Sequence, residues 1–268
     1  MITAGIDMGM ENARAVILRD ERIIGRGIGR SGGEKREEAA EAVLADALKE
    51  AGLTRSDIEK IYVTGKGKFD LHFTDDYITE PIAAARAAKF LCPEATAAVD
   101  AGADETIVVT LGKNKPVAEL AQNEKCAAGV GTFLRILARR LGLTLDELGA
   151  LPAKQATGAK VNDGCVVFAE LDALSLLNNG TPVAEVGAAA VDAAAVRVCM
   201  TINDITHPRM ERVALFGGLT KNAGFVRALK KYAGFDFIIP PDAEYAGALG
   251  AALVAANWGG NPWFAETA

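Results

Sequence analysis

The chain has 268 residues, half of them hydrophobic and 24% charged, with a formal net charge of -6. That length carries a full core in one large domain or two lobes, and an acidic balance without a Lys/Arg cluster excludes a nucleic-acid partner, whose phosphates demand clustered cations. Asp192 interrupts the alanine-rich run at 187–196 and Arg197 follows it, so no stretch reaches the roughly 20 apolar residues of a membrane span.

The chain opens on ITAGID, without the basic-then-apolar order of a secretory leader, so a cytoplasmic location is expected. Four cysteines are too few for a disulfide framework. In a reducing compartment they read as core residues, metal ligands or reactive thiols.

Residues 2–7, 14–19 and 22–28 read as three short strands joined by tight turns. Apolar side chains at Ala39, Val43, Ala47, Leu48 and Ala51 repeat with helical spacing over 35–51, and Gly52 suits the C-cap. IEKIYVTGKGK reads as a strand running into a Gly-rich turn, and PIAAARAAKFL as a helix with Pro81 near its start. The pattern restarts at residue 96: TAAVD, ETIVVTL and KPVAELA form a second meander. Helices at about 127–142, 166–178 and 183–204 follow, then the strand RVALF, the turn GGLT, a helix at 221–233, the strand DFIIP and a helix from about 244. The spacing therefore predicts an α/β protein with an internal duplication, lobes at 1–94 and 95–268, and a cleft between them.

Each meander carries an acidic residue and a glycine at its first turn: Asp7 and Gly9 in GIDMG, and Asp100, Gly102 and Asp104 in VDAGADE. Glycine lets backbone N–H groups approach an anion, and the carboxylate can hold the hydrated Mg²⁺ that neutralises a polyphosphate. Taken singly, D-x-G is a common turn signal. A third element, LFGGLTKNAGF, ends a strand in Gly217 and Gly218 and starts a helix near Lys221, giving flat access to adenine and ribose. A fourth, EYAGALGAAL, sets Gly247 and Gly250 on a helix able to cross the interlobe hinge.

Cys126 and Cys165 both stand just before amphipathic helix candidates, AAGVGTFLRILARRL and VVFAELDALSLL. A helix N-terminus lowers a thiol's pKa and steadies an anionic cluster, and Gly129, Gly131 and Gly164 are expected to clear space beside each sulfur. A buried, redox-inert thiol is the competing reading. Cys92 and Cys199 are expected in the core, His72 and His207 at a loop and a helix end, and Lys66 and Lys68 on a solvated turn, with an approach to phosphate or a partner as the competing reading.

The order of turns resembles the superfamily of actin, sugar kinases and heat-shock chaperones over nearly the whole chain, which implies two duplicated ribonuclease-H-like lobes with ATP between them. Asp7 and Asp100 would then be the metal- and water-organising carboxylates. NEKCAAGVGTF and GCVVFAELDALSLLNNG resemble the cluster-binding segments of the ATP-dependent activators of 2-hydroxyacyl-CoA dehydratases and benzoyl-CoA reductase. That resemblance implies one [4Fe–4S] cluster shared by two subunits, each giving two cysteines, here Cys126 and Cys165. It further implies a homodimer or a heterodimer with a related ATPase subunit, reduced ferredoxin as donor, and catalytic reductase subunits as acceptor.

VDAGADE followed by QNEKCAAG, and TEPIAAARAAKFL where activators show a histidine, lean toward the D-type ATPase component of benzoyl-CoA reductase. Two departures stand out. Met10, Glu11, Asn12 and Arg14 replace the usual hydroxyl residues and lysine, and Ala103 replaces the second glycine of a pair, which points to slow turnover or to a subunit that mainly binds nucleotide. The alternatives are a homodimeric dehydratase activator, a small-molecule kinase and a non-catalytic nucleotide-binding regulator.

Overall fold

A computed structural model describes residues 1–113, 115–123, 129–152, 158–206, 210–258 and 260. In its first half, β1 (Ile2–Met8), β2 (Asn12–Arg19) and β3 (Arg22–Arg30) form an antiparallel meander. Helix α1 (Arg36–Ala51) ends on Gly52, whose left-handed φ of 65° turns the chain out of the helix. Then β4 (Lys60–Thr64) lies parallel to β1, the two-residue β5 (Asp76–Tyr77) follows, and α2 (Glu80–Leu91) starts with Pro81 in its first turn.

The second half repeats the plan with β6 (Ala97–Ala101), β7 (Thr106–Leu111) and β8 (Val117–Gln122). Four helices intervene: α3 (Val130–Arg140), α4 (Leu145–Ala150), α5 (Val166–Asn178) and α6 (Val183–Asn203). The half closes with β9 (Val213–Phe216), α7 (Ala223–Ala233), β10 (Phe237–Ile238) and α8 (Ala246–Ala255).

Each sheet has five strands, ordered β3-β2-β1-β4-β5 and β8-β7-β6-β9-β10, with matching antiparallel and parallel neighbours. The duplication read from the spacing is thus present strand for strand. Alternation along the strands sorts the core into layers. On β2, Ala13, Ala15 and Ile17 face α1, whereas Val16 and Leu18 face the middle of the molecule. On the second sheet, Val99, Val108 and Leu215 face α3 and α6, and Ala98, Ile107, Val109 and Phe216 face inward.

The middle layer is α2 and α8, lined with alanine. Small residues there bring backbones into close contact: a Cβ on Gly5 of β1 would fall 1.9 Å from the Ala248 carbonyl of α8, and one on Gly250 would fall 2.2 Å from that of Ala83. Helix α8 therefore returns to the first sheet, where Thr3 Oγ1 donates to the Ala252 carbonyl at 2.9 Å. No helix among the described residues is long and apolar enough to cross a membrane.

Three elements differ from the spacing-based expectation. Helix α4 starts with a capping box, Thr144 N donating to Glu147 Oε2 at 2.7 Å, which the periodicity does not signal. Strand β5 is too short to show any period, and β10 occupies two residues of DFIIP.

Candidate functional site

Asp7 and Asp100 occupy equivalent places, each at the carboxyl end of the first strand of its sheet, beside Thr64 of β4 and Phe216 of β9 respectively. Between them opens a cleft of about 290 Å³. Gly9 and Gly102 line it at the two first turns, joined by Asp104 of the second. Gly102 N–H donates to the Glu105 carbonyl at 3.0 Å, closing that turn.

Gly217 and Gly218 line the same cleft from the end of β9. Gly217 has φ 93°, and a Cβ there would lie 2.7 Å from Asp100 Oδ1. Gly65, which follows β4, is its counterpart: φ 92°, with a Cβ 2.7 Å from Asp7 Oδ1. Sequence reasoning missed Gly65, although the repeat itself marks it as the glycine that follows the fourth strand of each half. Gly247, in the first turn of α8, sits where a Cβ would be 2.9 Å from Asp7 Oδ2, so it makes room for that carboxylate. Lys221 lies outside the cleft lining and pairs with Glu244, which does line it.

Burial raises the pKa of Asp7, opposed by the nearby Arg14 guanidinium. Asp100 is pushed up to about 7, first by burial and then by the charge of Asp7. Two carboxylates held against their preferred charge state suit a divalent cation, which would stabilise both ionised forms. Arg14 reaches across from β2: its Nη2 would lie 3.3 Å from a Cβ on Gly218.

The two departures in the turns have local explanations. The first turn is held by a hydroxyl from elsewhere, Ser31 Oγ donating to the Met10 carbonyl at 2.6 Å. At the second, Gly131 N–H and Thr132 N–H at the start of α3 donate to the Gly102 and Ala103 carbonyls at 3.1 and 3.0 Å. The close approach that a second glycine would permit comes instead from Gly129, where a Cβ would meet the Asp104 carbonyl carbon at 2.0 Å, and from Gly131. These two glycines clear space for the turn at 102–104; the sulfur of Cys126, for which the sequence also predicts room here, lies outside the described residues.

Cys165 is half-buried at the N-cap of α5, on a loop shaped by Asn162 Oδ1, which accepts from Gly164 N–H and Cys165 N–H at 3.0 and 2.7 Å. Arg197 of α6 donates to the Asp163 and Gly164 carbonyls at 2.9 and 3.2 Å and stacks on Phe133 of α3. Beyond Cys165, α5 leaves Val167, Phe168 and Leu171 more than half exposed. Cys126 and His207 lie outside the described residues. Cys92 is buried and Cys199 half-buried, with burial pushing both thiols up to about 11, as inert core cysteines require. His72 is on an exposed loop beside Glu37.

Residues 4–255 match the sequence pattern of the BadF/BadG/BcrA/BcrD ATPase family. The chain belongs to that family. In this ATPase the two lobes and their cleft have the actin-like ATPase and sugar-kinase fold, the fold expected from the resemblance. The activator of lactoyl-CoA dehydratase from Anaerotignum propionicum is 34% identical over 262 residues, covering 95% of this chain and 97% of that one. The structure of the activator of 2-hydroxyisocaproyl-CoA dehydratase from Clostridium difficile with bound ADPNP superposes with a TM-score of 0.84 at 32% identity, over 95% of this chain and 94% of that one. The D-type component of benzoyl-CoA reductase from Thauera aromatica is 30% identical over 267 residues, covering 96% of this chain and 93% of that one. The relatives thus lean to dehydratase activators, against the benzoyl-CoA reductase leaning of the turn residues.

Proposed function

We propose that this ATPase is the activator of a 2-hydroxyacyl-CoA dehydratase, using Mg–ATP to deliver low-potential electrons, with reduced ferredoxin as donor in a cytoplasmic setting. The observation that carries it is the seating of α3. Its N-terminal amides hold the second phosphate turn, and Arg135 on the same helix pairs with Glu11 of the first. A helix gripped by both turns responds to any change in lobe separation. In sequence it follows directly on the Cys126 segment.

Asp7 and Asp100 fit a hydrated Mg²⁺, and the two first turns, with Gly9 and Gly102 lining the cleft, leave room for the phosphates, so that hydrolysis proceeds by positioning and charge neutralisation. ATP and ADP, differing in their hold on the two turns, bias two settings of α3. Cys165 fits a thiolate ligand: it stands at a helix N-terminus, partly exposed, on a loop pinned by Asn162 and Arg197. A [4Fe–4S] cluster held by Cys126, Cys165 and the same pair of a second subunit would supply the one-electron centre. The exposed apolar face of α5 beside Cys165 supports a second copy as the occupant, with a related ATPase subunit as the variant of the same arrangement.

The test is anaerobic purification with iron and sulfide counts, size-exclusion mass determination, and activation assays with a purified 2-hydroxyacyl-CoA dehydratase and with benzoyl-CoA reductase. The proposal expects a dimer that carries iron and activates the dehydratase, and loses its iron in Cys165→Ser. Full iron in Cys165→Ser refutes the thiol assignment. Activation of the reductase alone restores the reading that the turn residues favoured.

A further inference from the structure

The cleft has an unusual charge balance for a triphosphate site. Against Asp7, Glu11, Glu80, Asp100, Asp104, Glu105 and Glu244, Arg14 and Lys66 are the cations among its described lining residues. Arg14 lies beside the carboxylates, its charge acting on both Asp7 and Asp100, and its buried Nε has no hydrogen-bond partner. Lys68, one residue beyond Gly67, is held by Glu80 at 3.3 Å and by the Gly65 carbonyl at 3.2 Å.

Lys66 is different. It lies on the turn after β4, between Gly65 and Gly67, and its Nζ reaches across to Glu105 Oε2 of the second phosphate turn at 2.8 Å, remaining 41% exposed. The turn that carries it is rigid: Gly67 N–H donates to the Met8 carbonyl at 2.9 Å, and a Cβ at Gly65 would clash with Met8 and Asp7. A lysine on a fixed turn, on a flexible four-carbon stem, can exchange one anion for another without moving the backbone.

On the reading that this cleft binds nucleotide, we infer that Lys66 is a terminal-phosphate ligand held in reserve by Glu105. When ATP enters, its γ-phosphate draws the Lys66 ammonium away from Glu105, and the interlobe ion pair is exchanged for a contact with substrate. ADP has no γ-phosphate, so with ADP the Lys66–Glu105 pair persists. The pair thereby couples the identity of the nucleotide to a contact between the turn of β4 and the second phosphate turn, which is the turn that seats α3.

The exchange predicts opposite effects from its two ends. Lys66→Met removes the phosphate ligand and should weaken the Mg²⁺ complex of a non-hydrolysable ATP analogue about tenfold, about 1.4 kcal/mol, with ADP changing by less than about twofold. Glu105→Gln removes the competitor and should tighten the analogue by about threefold while leaving ADP within about twofold. Lys66→Arg, which keeps the charge, should recover most of the analogue's affinity.

Isothermal titration calorimetry of the full chain with both nucleotides, after thermal melts confirm folding, reads all of these. Equal shifts for the analogue and ADP, or loss of affinity in both Lys66→Met and Glu105→Gln, would make the pair a plain structural clasp and overturn the assignment while leaving the nucleotide reading intact. If the unaltered chain binds neither nucleotide, the nucleotide reading falls and this assignment with it.

Discussion

The two lobes share a sheet order, an aspartate at the end of the first strand, and a left-handed glycine after the fourth, yet they differ in what joins the third strand to the fourth. In the first lobe that connection holds α1, packed on β2 and β3. In the second it holds α3, α4, α5 and α6, and with them Cys165 and the sequence position of Cys126. The shared part builds the cleft, and the added part carries the two cysteines proposed to hold the cluster. Helix α3 joins the two, because among the described residues it is an added element that touches the first turn of both meanders.

The largest expected effect tests whether the paired aspartates are equivalent. The folded-state pKa of Asp100 is raised from 3.8 to about 7, so its protonated form favours the nucleotide-free fold, and that contribution is lost as pH rises from about 4 through 7. Asp100→Asn should therefore raise the melting temperature of the nucleotide-free protein at pH 8 and alter it little at pH 4. The same change should cut Mg–ATP hydrolysis by about 100-fold or more. In the unaltered protein, nucleotide affinity should fall as pH drops below about 7, because the cation needs the ionised carboxylate. Asp7→Asn should show a smaller gain in melting temperature, since for Asp7 the opposing Arg14 charge is the largest influence after burial, whereas for Asp100 the charge of Asp7 outranks it. A lower melting temperature for Asp100→Asn at pH 8 would break the assignment of Asp100 as the strained member.

Next in size are the matched glycines. Gly65→Ala and Gly217→Ala each force a side chain into a backbone region that L residues avoid and into contact with an aspartate oxygen. Each should cost about 2 kcal/mol or more in urea unfolding. Gly33→Ala, with φ 61° and nothing within 4 Å of the added carbon, isolates the backbone contribution and should cost about 1 kcal/mol. If Gly65→Ala behaves like Gly33→Ala while Gly217→Ala does not, the two halves of the cleft are not built alike.

What the sequence discloses follows from the range of each signal. Period-two alternation at Ala13, Ala15 and Ile17 against Val16 and Leu18, and the repeated aspartate-glycine turns, are local, so the meanders, the duplication and most of the cleft are legible. Gly65 and Lys66 sit in VTGKGK, which reads by itself as a solvated turn. Their roles come from non-adjacent partners, Asp7 and Glu105. Gly129 and Gly131 are visible as small residues, but what they make room for is the turn at 102–104, again a distant contact. The choice between dehydratase and reductase partners rests, in the sequence, on a few turn residues. Of these, the turn at 102–104 packs against the start of α3 inside this chain, so it carries little information about an external partner.

The smallest effect concerns how the second lobe returns to the first. Arg26, on the edge strand β3, donates through Nε and Nη2 to Asp242 at 2.8 and 2.7 Å, and its Nη1 lies 3.4 Å from Glu50 of α1. Asp242 stands at φ 62°, shortly before α8, and the two-pronged bond offsets that backbone cost. Arg26→Lys keeps the charge and loses the fork, so it should cost about 1 kcal/mol, and less in high salt. Asp242→Gly loses the pair and gains backbone freedom, so its net change should be smaller than that of Asp242→Ala. A double-mutant cycle across Arg26 and Asp242, followed by urea unfolding at two salt concentrations, measures the coupling directly. A coupling near zero would leave the alanine layer of α2 and α8, and not this ion pair, as what holds the returning helix against the first sheet.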